Sequence, residues 1–119
     1  MAQTSHGPLS KGEWKLLEIN GTAAVPGETD RRPTIRFNVD SARADGSGGC
    51  NSYGGEAAVK GASLHVSRVI STKRACVDAG LNQQESRFFD ALGTVDRYAV
   101  SADTLTLYHG PDVALRFVR

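Results

Sequence analysis

The residues of this 119-residue chain that could do chemistry begin with the stretch GSGGCNSYGG, residues 46–55, which is half glycine and contains Cys50 and Asn51. A phosphate-binding P-loop requires Lys-Ser or Lys-Thr after its last glycine and a helix that begins there, but this chain continues as NSYGGEAAV, a strand pattern. A dinucleotide-binding fingerprint fails as well, because Asn51 occupies its sixth position. Glycines in strands mark bulges, sharp bends and close backbone approaches, so we predict that this stretch is architectural.

The two cysteines, Cys50 and Cys76, are the second chemical feature. If residues 52–59 and 63–76 form one hairpin, both cysteines lie at its far end, and a bulge around residues 67–69 would bring them roughly opposite each other. On the residues alone, a disulfide and a pair of free thiols in a cytosolic protein both remain possible. No metal site is predicted, because two cysteines supply too few ligands and the three histidines are spread along the sequence.

Glu85 is the charged residue most open to a catalytic interpretation. It shares one helical face with apolar side chains, so its carboxylate should point towards the core or its edge. Those side chains are Leu81, Phe88, Phe89 and Leu92. An unpaired buried carboxylate is costly, and we therefore expect Glu85 to have a partner. The candidate partners are Arg74, Thr72, the indole of Trp14 and the hydroxyl of Tyr53.

Three roles for Glu85 remain open. With Asn82 three residues before it, Glu85 fits a capping box, in which the carboxylate reaches back to a backbone N–H group. A buried ion pair with Arg74 is the second role. The third is a general acid or base, but no second titratable partner is conspicuous in the sequence, so we predict no catalytic residue.

A set of aromatic residues has two interpretations. They pack in the core, or they line a cavity that carries a small apolar ligand inside a barrel-like sheet. The set consists of Trp14, Phe37, Tyr53, Tyr98 and Phe117.

Composition excludes several classes of partner. The chain has 14 Lys and Arg against 13 Asp and Glu, a net charge of +1, which gives no electrostatic basis for binding nucleic acid or an anionic membrane surface. No apolar run approaches the length that spans a bilayer. The first ten residues, MAQTSHGPLS, lack the basic and apolar regions of a signal peptide, so we expect a cytoplasmic protein or an exported one without its signal. No cofactor is predicted.

Hydrophobic periodicity predicts the fold. Residues 1–11 are expected to be a flexible lead-in, and residues 12–119 a single domain. Alternating strand patterns precede and follow one amphipathic helix, which runs from about Leu81 to Leu92 and ends before Gly93. This order predicts an α+β fold of mainly antiparallel strands. The sheet is expected to be strongly twisted or a partly closed barrel of about seven to eight strands, with the helix packed on it.

These patterns together resemble the META domain family of HslJ-like heat-shock proteins. The resemblance runs from Glu13 to Val118. It rests on WKL near the start, PTIRF, GSGGCNSYGG, ISTKRAC, the helix ESRFFDAL, and the closing DTLTL and ALRF. Lys73 and Arg74 depart from the pattern, since a less charged pair is frequent there.

The resemblance implies a β-rich domain without catalytic activity, found in bacterial cell-envelope proteins that are often exported and sometimes lipoproteins. It favours a periplasmic or outer-membrane-anchored location over a cytoplasmic one. Because oxidising compartments preserve disulfides, it also favours a Cys50–Cys76 disulfide over free thiols. The residues that carry the family signature as structural positions are Gly49, Asn51, Gly55, Thr72 and Glu85.

The function that the resemblance implies is a binding or stabilising role in heat-shock stress or antibiotic tolerance. The partner would be an unidentified protein or envelope component, bound by a monomer. The alternative is the carrier of a small apolar ligand.

Overall fold

The computed structural model describes residues 6–27 and 30–119, which form nine strands and two helices. The strands are β1 (Trp14–Ile19), β2 (Thr22–Ala23), β3 (Thr34–Asn38), β4 (Arg43–Ser47), β5 (Ser52–Lys60), β6 (Ser63–Ser71), β7 (Arg97–Ser101), β8 (Thr104–His109) and β9 (Asp112–Val118). The helices are α1 (His6–Leu9) and α2 (Ala79–Leu92).

The strands close into an antiparallel barrel. Each strand from β3 to β8 pairs with the next along the chain, and β1 closes the ring by pairing with both β3 and β9, for example Leu16 with Phe117. The remaining strand, β2, pairs antiparallel with the last two residues of β1. The predicted barrel-like sheet with one packed helix is therefore confirmed, and the additional strand is β2, whose two residues are too short for a periodic signal.

The β5–β6 hairpin contains the predicted bulge. The register of the β5–β6 pairing shifts between the Glu56–Ser67 pair and the Gly54–Ile70 pair. Arg68, in the bulge, has a φ of 54°. A Cβ atom on Gly55 would lie 2.9 Å from the carbonyl oxygen of Ser67, so the bulged strand presses directly on this glycine. The bulge lengthens the path of β6 relative to β5.

Helix α2 begins at Ala79, two residues before the predicted start. Asp78 is its N-cap and accepts a hydrogen bond from the Gly80 N–H group at 2.7 Å. Phe88 points into the barrel, where its ring makes edge contacts with Tyr53 at 5.7 Å and Phe117 at 6.2 Å between centroids. The helix thus contributes an aromatic side chain to the same core as the strands.

The N-terminal segment also joins the core. Leu9, at the end of α1, is fully buried, and the Trp14 indole N–H donates to its carbonyl oxygen at 3.0 Å. Arg119 at the other end of the chain stacks over the Trp14 ring at 4.1 Å and donates to the Pro8 carbonyl at 2.7 Å. Packing therefore begins before residue 12. Residues 1–5 of the predicted lead-in lie outside the described residues, and its flexibility stays a prediction.

No helix in the described part of the chain is long and apolar enough to cross a membrane.

Candidate functional site

The glycine stretch binds an anion, and that anion is the carboxylate of Glu85. The backbone N–H groups of Cys50 and Asn51 donate to Glu85 Oε2 at 2.9 and 2.7 Å, and Asn51 Nδ2 donates to Oε1 at 2.7 Å. Successive backbone N–H groups form a concavity that favours negative charge. We call these three donors and the Glu85 side chain the carboxylate cradle.

The glycines allow the backbone to approach the carboxylate. A Cβ atom on Gly48 would lie 2.6 Å from Glu85 Oε2 and 2.7 Å from the ring of Phe89. Gly49 has a φ of 109°, a conformation that other residues rarely adopt. The predicted architectural role therefore has a physical cause at both positions.

Asn51 joins the cradle to the segment that follows β6. Its Oδ1 accepts hydrogen bonds from the Thr72 hydroxyl at 2.8 Å and the Arg74 N–H at 2.7 Å. Its Nδ2 also donates to the Arg74 carbonyl at 2.7 Å. We call residues 72–78, which run from the end of β6 to the N-cap of α2, the strap.

A disulfide between Cys50 and Cys76 links the cradle to the strap a second time. The Cα atoms are 5.4 Å apart, both residues are buried, and 26 positions separate them in sequence. The disulfide favoured by the resemblance is therefore confirmed, and the free-thiol alternative is wrong for this structure.

The capping-box interpretation of Glu85 is wrong. The helix begins earlier than predicted, so Asp78 is the cap and Asn82 lies inside the first turn. The Asn82 side chain instead accepts from the Cys76 N–H at 2.9 Å and donates to the Cys76 carbonyl at 3.0 Å.

The four predicted partners of Glu85 bind other groups. The Arg74 guanidinium donates to the Cys50 carbonyl at 2.8 Å, and the Tyr53 hydroxyl donates to the Thr34 carbonyl. The Thr72 hydroxyl binds Asn51, and the Trp14 indole binds Leu9. The actual partners were missed because their N–H groups become accessible to Glu85 only when the glycines fold the loop.

The cradle anchors the glycine stretch to helix α2 through Glu85. Glu85 is buried and both of its carboxylate oxygens already accept hydrogen bonds. Within residues 6–27 and 30–119, no three metal-ligating side chains are grouped so that they could hold an ion.

The structure brings the predicted aromatic set together in the core. All five residues are at most 5 % exposed. A surface cleft of about 560 Å³ lies beside β3, but Phe37 is the one member of the set that lines it, among polar residues such as Arg36 and Asp45. This packing offers the carrier alternative no supporting observation.

Sequence reasoning missed a second contact made by helix α2. Gln84 is buried and its amide both accepts from the Val25 N–H at 2.9 Å and donates to the Val25 carbonyl at 2.8 Å. Its position next to Glu85 on a buried helix face was the available signal. These neighbouring side chains fasten two different loops to the helix.

Burial of the Tyr53 hydroxyl should make the stability of the protein fall at high pH. This hydroxyl donates to the Thr34 carbonyl at 2.7 Å, and burial, followed by the negative charge of Asp45, holds its pKa well above 10.0. Above about pH 10 the unfolded chain therefore releases this proton while the folded chain keeps it, so stability falls as pH rises.

We expect Tyr53→Phe to cost about 1 kcal/mol near neutral pH, because the Thr34 carbonyl loses its donor. The difference in unfolding free energy between wild type and variant should narrow above about pH 10, where wild type alone loses the Tyr53 contribution. Urea unfolding between about pH 8 and 11 measures it. A constant difference across that range would contradict the assignment.

Gly46→Ala tests the close backbone packing. Its Cβ atom would collide with the carbonyl group of Thr34, whose carbon would be 2.8 Å away, and we expect a loss of about 2–3 kcal/mol. Gly54→Ala, on the neighbouring strand, is the matched control, since its nearest contacts would be at 3.6 Å or more. Chemical denaturation should leave the Gly54 variant within about 0.5 kcal/mol of wild type. Equal losses would contradict the packing argument.

The structure is a small α+β domain, in which helix α2 packs on an antiparallel barrel and is fastened to it by the carboxylate cradle and the disulfide. The META domain family matches residues 7–119, and the chain belongs to that family. No curated protein is significantly similar to the chain.

Three solved structures share the fold. Two are solution NMR structures, each with a TM-score of 0.72. One, from Burkholderia xenovorans, is 25% identical and the match covers 100% of this chain and 92% of that one. The other is 21% identical, over 98% and 95%. A crystal structure of a DUF4847 family protein from Bacteroides vulgatus is 15% identical over 92% and 93%, with a TM-score of 0.60.

Proposed function

We propose that this chain is a non-catalytic META domain of the cell envelope, which binds a protein or envelope component in stress or antibiotic tolerance. The observation that carries the proposal is the carboxylate cradle. The most reactive group of the glycine stretch, Cys50, is in a disulfide, and the buried acid beside it, Glu85, is bound by three N–H donors. These groups maintain a rigid shape instead of turning over a substrate.

The disulfide supports the envelope location. Disulfides persist in secreted and periplasmic proteins and are rare in the cytosol, where thiols are kept reduced. In the oxidised form, two kinds of link join the cradle to the strap: the Cys50–Cys76 disulfide and the hydrogen bonds of Asn51.

Exposed apolar side chains next to the strap support recognition of a protein partner. Ile70, just before the strap, is 77% exposed, and Val77, within it, is 98% exposed. Large apolar side chains at an interface supply contact area that excludes water. Ile70 lies on β6, and Val77 follows Cys76, which the disulfide holds, so both side chains are presented from a defined backbone.

Site-specific photo-crosslinking in the native host tests the proposal. A photoreactive amino acid in place of Ile70 or Val77 should form a discrete adduct in the envelope fraction. Ala99, exposed on β7, is the matched control position and should form none. Equal adducts from all three positions, or adducts confined to the cytoplasmic fraction, would contradict the proposal.

A further inference from the structure

The strap has the features of a protease substrate. Residues 72–76 belong to no helix or strand, and Thr72, Lys73, Arg74 and Ala75 are all exposed. Proteases that cleave after basic residues bind such a segment in extended form, and Lys73 and Arg74 supply two adjacent cleavage positions. Exposed irregular segments are where proteolytic cleavage concentrates.

The peptide bonds at these positions are held by Asn51. The nitrogen of the Lys73–Arg74 bond donates to Asn51 Oδ1, and the carbonyl of the Arg74–Ala75 bond accepts from Asn51 Nδ2, both at 2.7 Å. A protease must bind the backbone of the strap and attack the carbonyl carbon of Lys73 or of Arg74. It therefore has to displace the Asn51 side chain first.

The disulfide holds the same segment closed. Cys76 is the buried residue within the strap, and its bond to Cys50 keeps Arg74 close to Asn51, the residue after Cys50. Without the disulfide, local opening of the strap breaks no covalent bond. The non-covalent contacts that then hold the strap include the hydrogen bonds to Asn51 and Asn82 and the hydrogen bond from the Arg74 guanidinium to the Cys50 carbonyl.

We infer that the strap is a proteolytic processing site for a protease that cleaves after basic residues, and that the Cys50–Cys76 disulfide controls its access. Cleavage is hydrolysis: water adds across the Lys73–Arg74 or the Arg74–Ala75 amide, which gives a new carboxylate and a new amine. Reduction takes two electrons from a dithiol, which becomes a disulfide itself, and leaves two thiols on this chain.

The disulfide also decides what cleavage produces. Cys50 belongs to the N-terminal product and Cys76 to the C-terminal one, so an oxidised chain that has been cut stays covalently joined. A reduced chain yields two pieces with no covalent link between them, the second of which contains α2 and β7 to β9.

Limited trypsin digestion of the full chain, with its disulfide intact or after reduction with dithiothreitol, tests the inference. Arg31 is the internal comparator, because it lies exposed in a loop outside the strap. Relative to cleavage after Arg31, cleavage after Lys73 or Arg74 should accelerate at least about tenfold on reduction, since cleavage rate follows the open population. Mass spectrometry of the peptides measures both sites.

Two results would overturn the inference. One is an unchanged ratio of strap cleavage to Arg31 cleavage. The other is simultaneous cleavage after Arg97 and Arg116, which lie within strands, because this would mean that reduction unfolds the whole barrel. The double variant Cys50→Ala with Cys76→Ala should give the cleavage ratio of the reduced protein without any reductant. If that variant does not fold, the increase of the cleavage ratio in wild type during reduction with dithiothreitol tests the inference instead.

Discussion

Glu85→Ala is expected to lower the free energy of unfolding by about 3–5 kcal/mol. The substitution leaves the N–H groups of Cys50 and Asn51 and one N–H of the Asn51 amide without their acceptor in a buried site. Each buried donor without a partner costs about 1–3 kcal/mol. A loss of this size is a large fraction of the total stability of a small domain.

Urea unfolding of three variants distinguishes the loss of stability caused by breaking the cradle from the loss caused by any substitution in helix α2. Gln83→Ala, at an exposed position of the same helix, should change stability by less than about 0.5 kcal/mol. Glu85→Gln should lose about 1–3 kcal/mol, because its NH2 group must face one of the cradle donors. A loss below about 1 kcal/mol for Glu85→Ala would show that the cradle contributes little.

Removal of the disulfide, by Cys50→Ala with Cys76→Ala, should lower the free energy of unfolding by about 3–4 kcal/mol. The bond joins residues 26 positions apart, and in the chain-entropy description closure of a loop of that length restricts the unfolded chain by about this amount. The hydrogen bonds of Asn51 to the strap remain in the variant, so the barrel should still fold.

Matched measurements on reduced wild type provide the control for this prediction. Reduced wild type and the double variant should unfold at similar urea concentrations, both well below oxidised wild type. A double variant as stable as the oxidised protein would contradict the disulfide's contribution, and similar stability of oxidised and reduced wild type would do the same.

Local patterns predicted most of the barrel. Ile35 and Phe37 alternate with polar residues in the sequence, and both lie on the buried face of β3. The bulge predicted around residues 67–69 is confirmed at Arg68; in the sequence, the two-residue alternation of Leu64 and Val66 breaks there before Val69 and Ile70. The apolar last strand, β9, closes the barrel onto β1. These features depend on residues close in sequence, where side-chain periodicity carries the information.

Contacts between distant segments could not be predicted in this way. The cradle joins residues 34 and 35 positions apart, and its donors are backbone groups, which every residue possesses. The burial of Leu9 depends on the Trp14 indole and the C-terminal Arg119, which meet only in the closed barrel. Asp78 and Asn82 are both good capping residues, and the choice between them depends on Cys76, which Asn82 binds.

The disulfide-fastened cradle is tested most directly by the intact mass of the natively expressed protein after alkylation under denaturing, non-reducing conditions. We predict no alkyl group before reduction and two after it, which would show Cys50 and Cys76 joined within one chain. Two alkyl groups without reduction would contradict the disulfide-fastened cradle in an oxidising compartment, and would make Cys50 a free thiol beside Glu85.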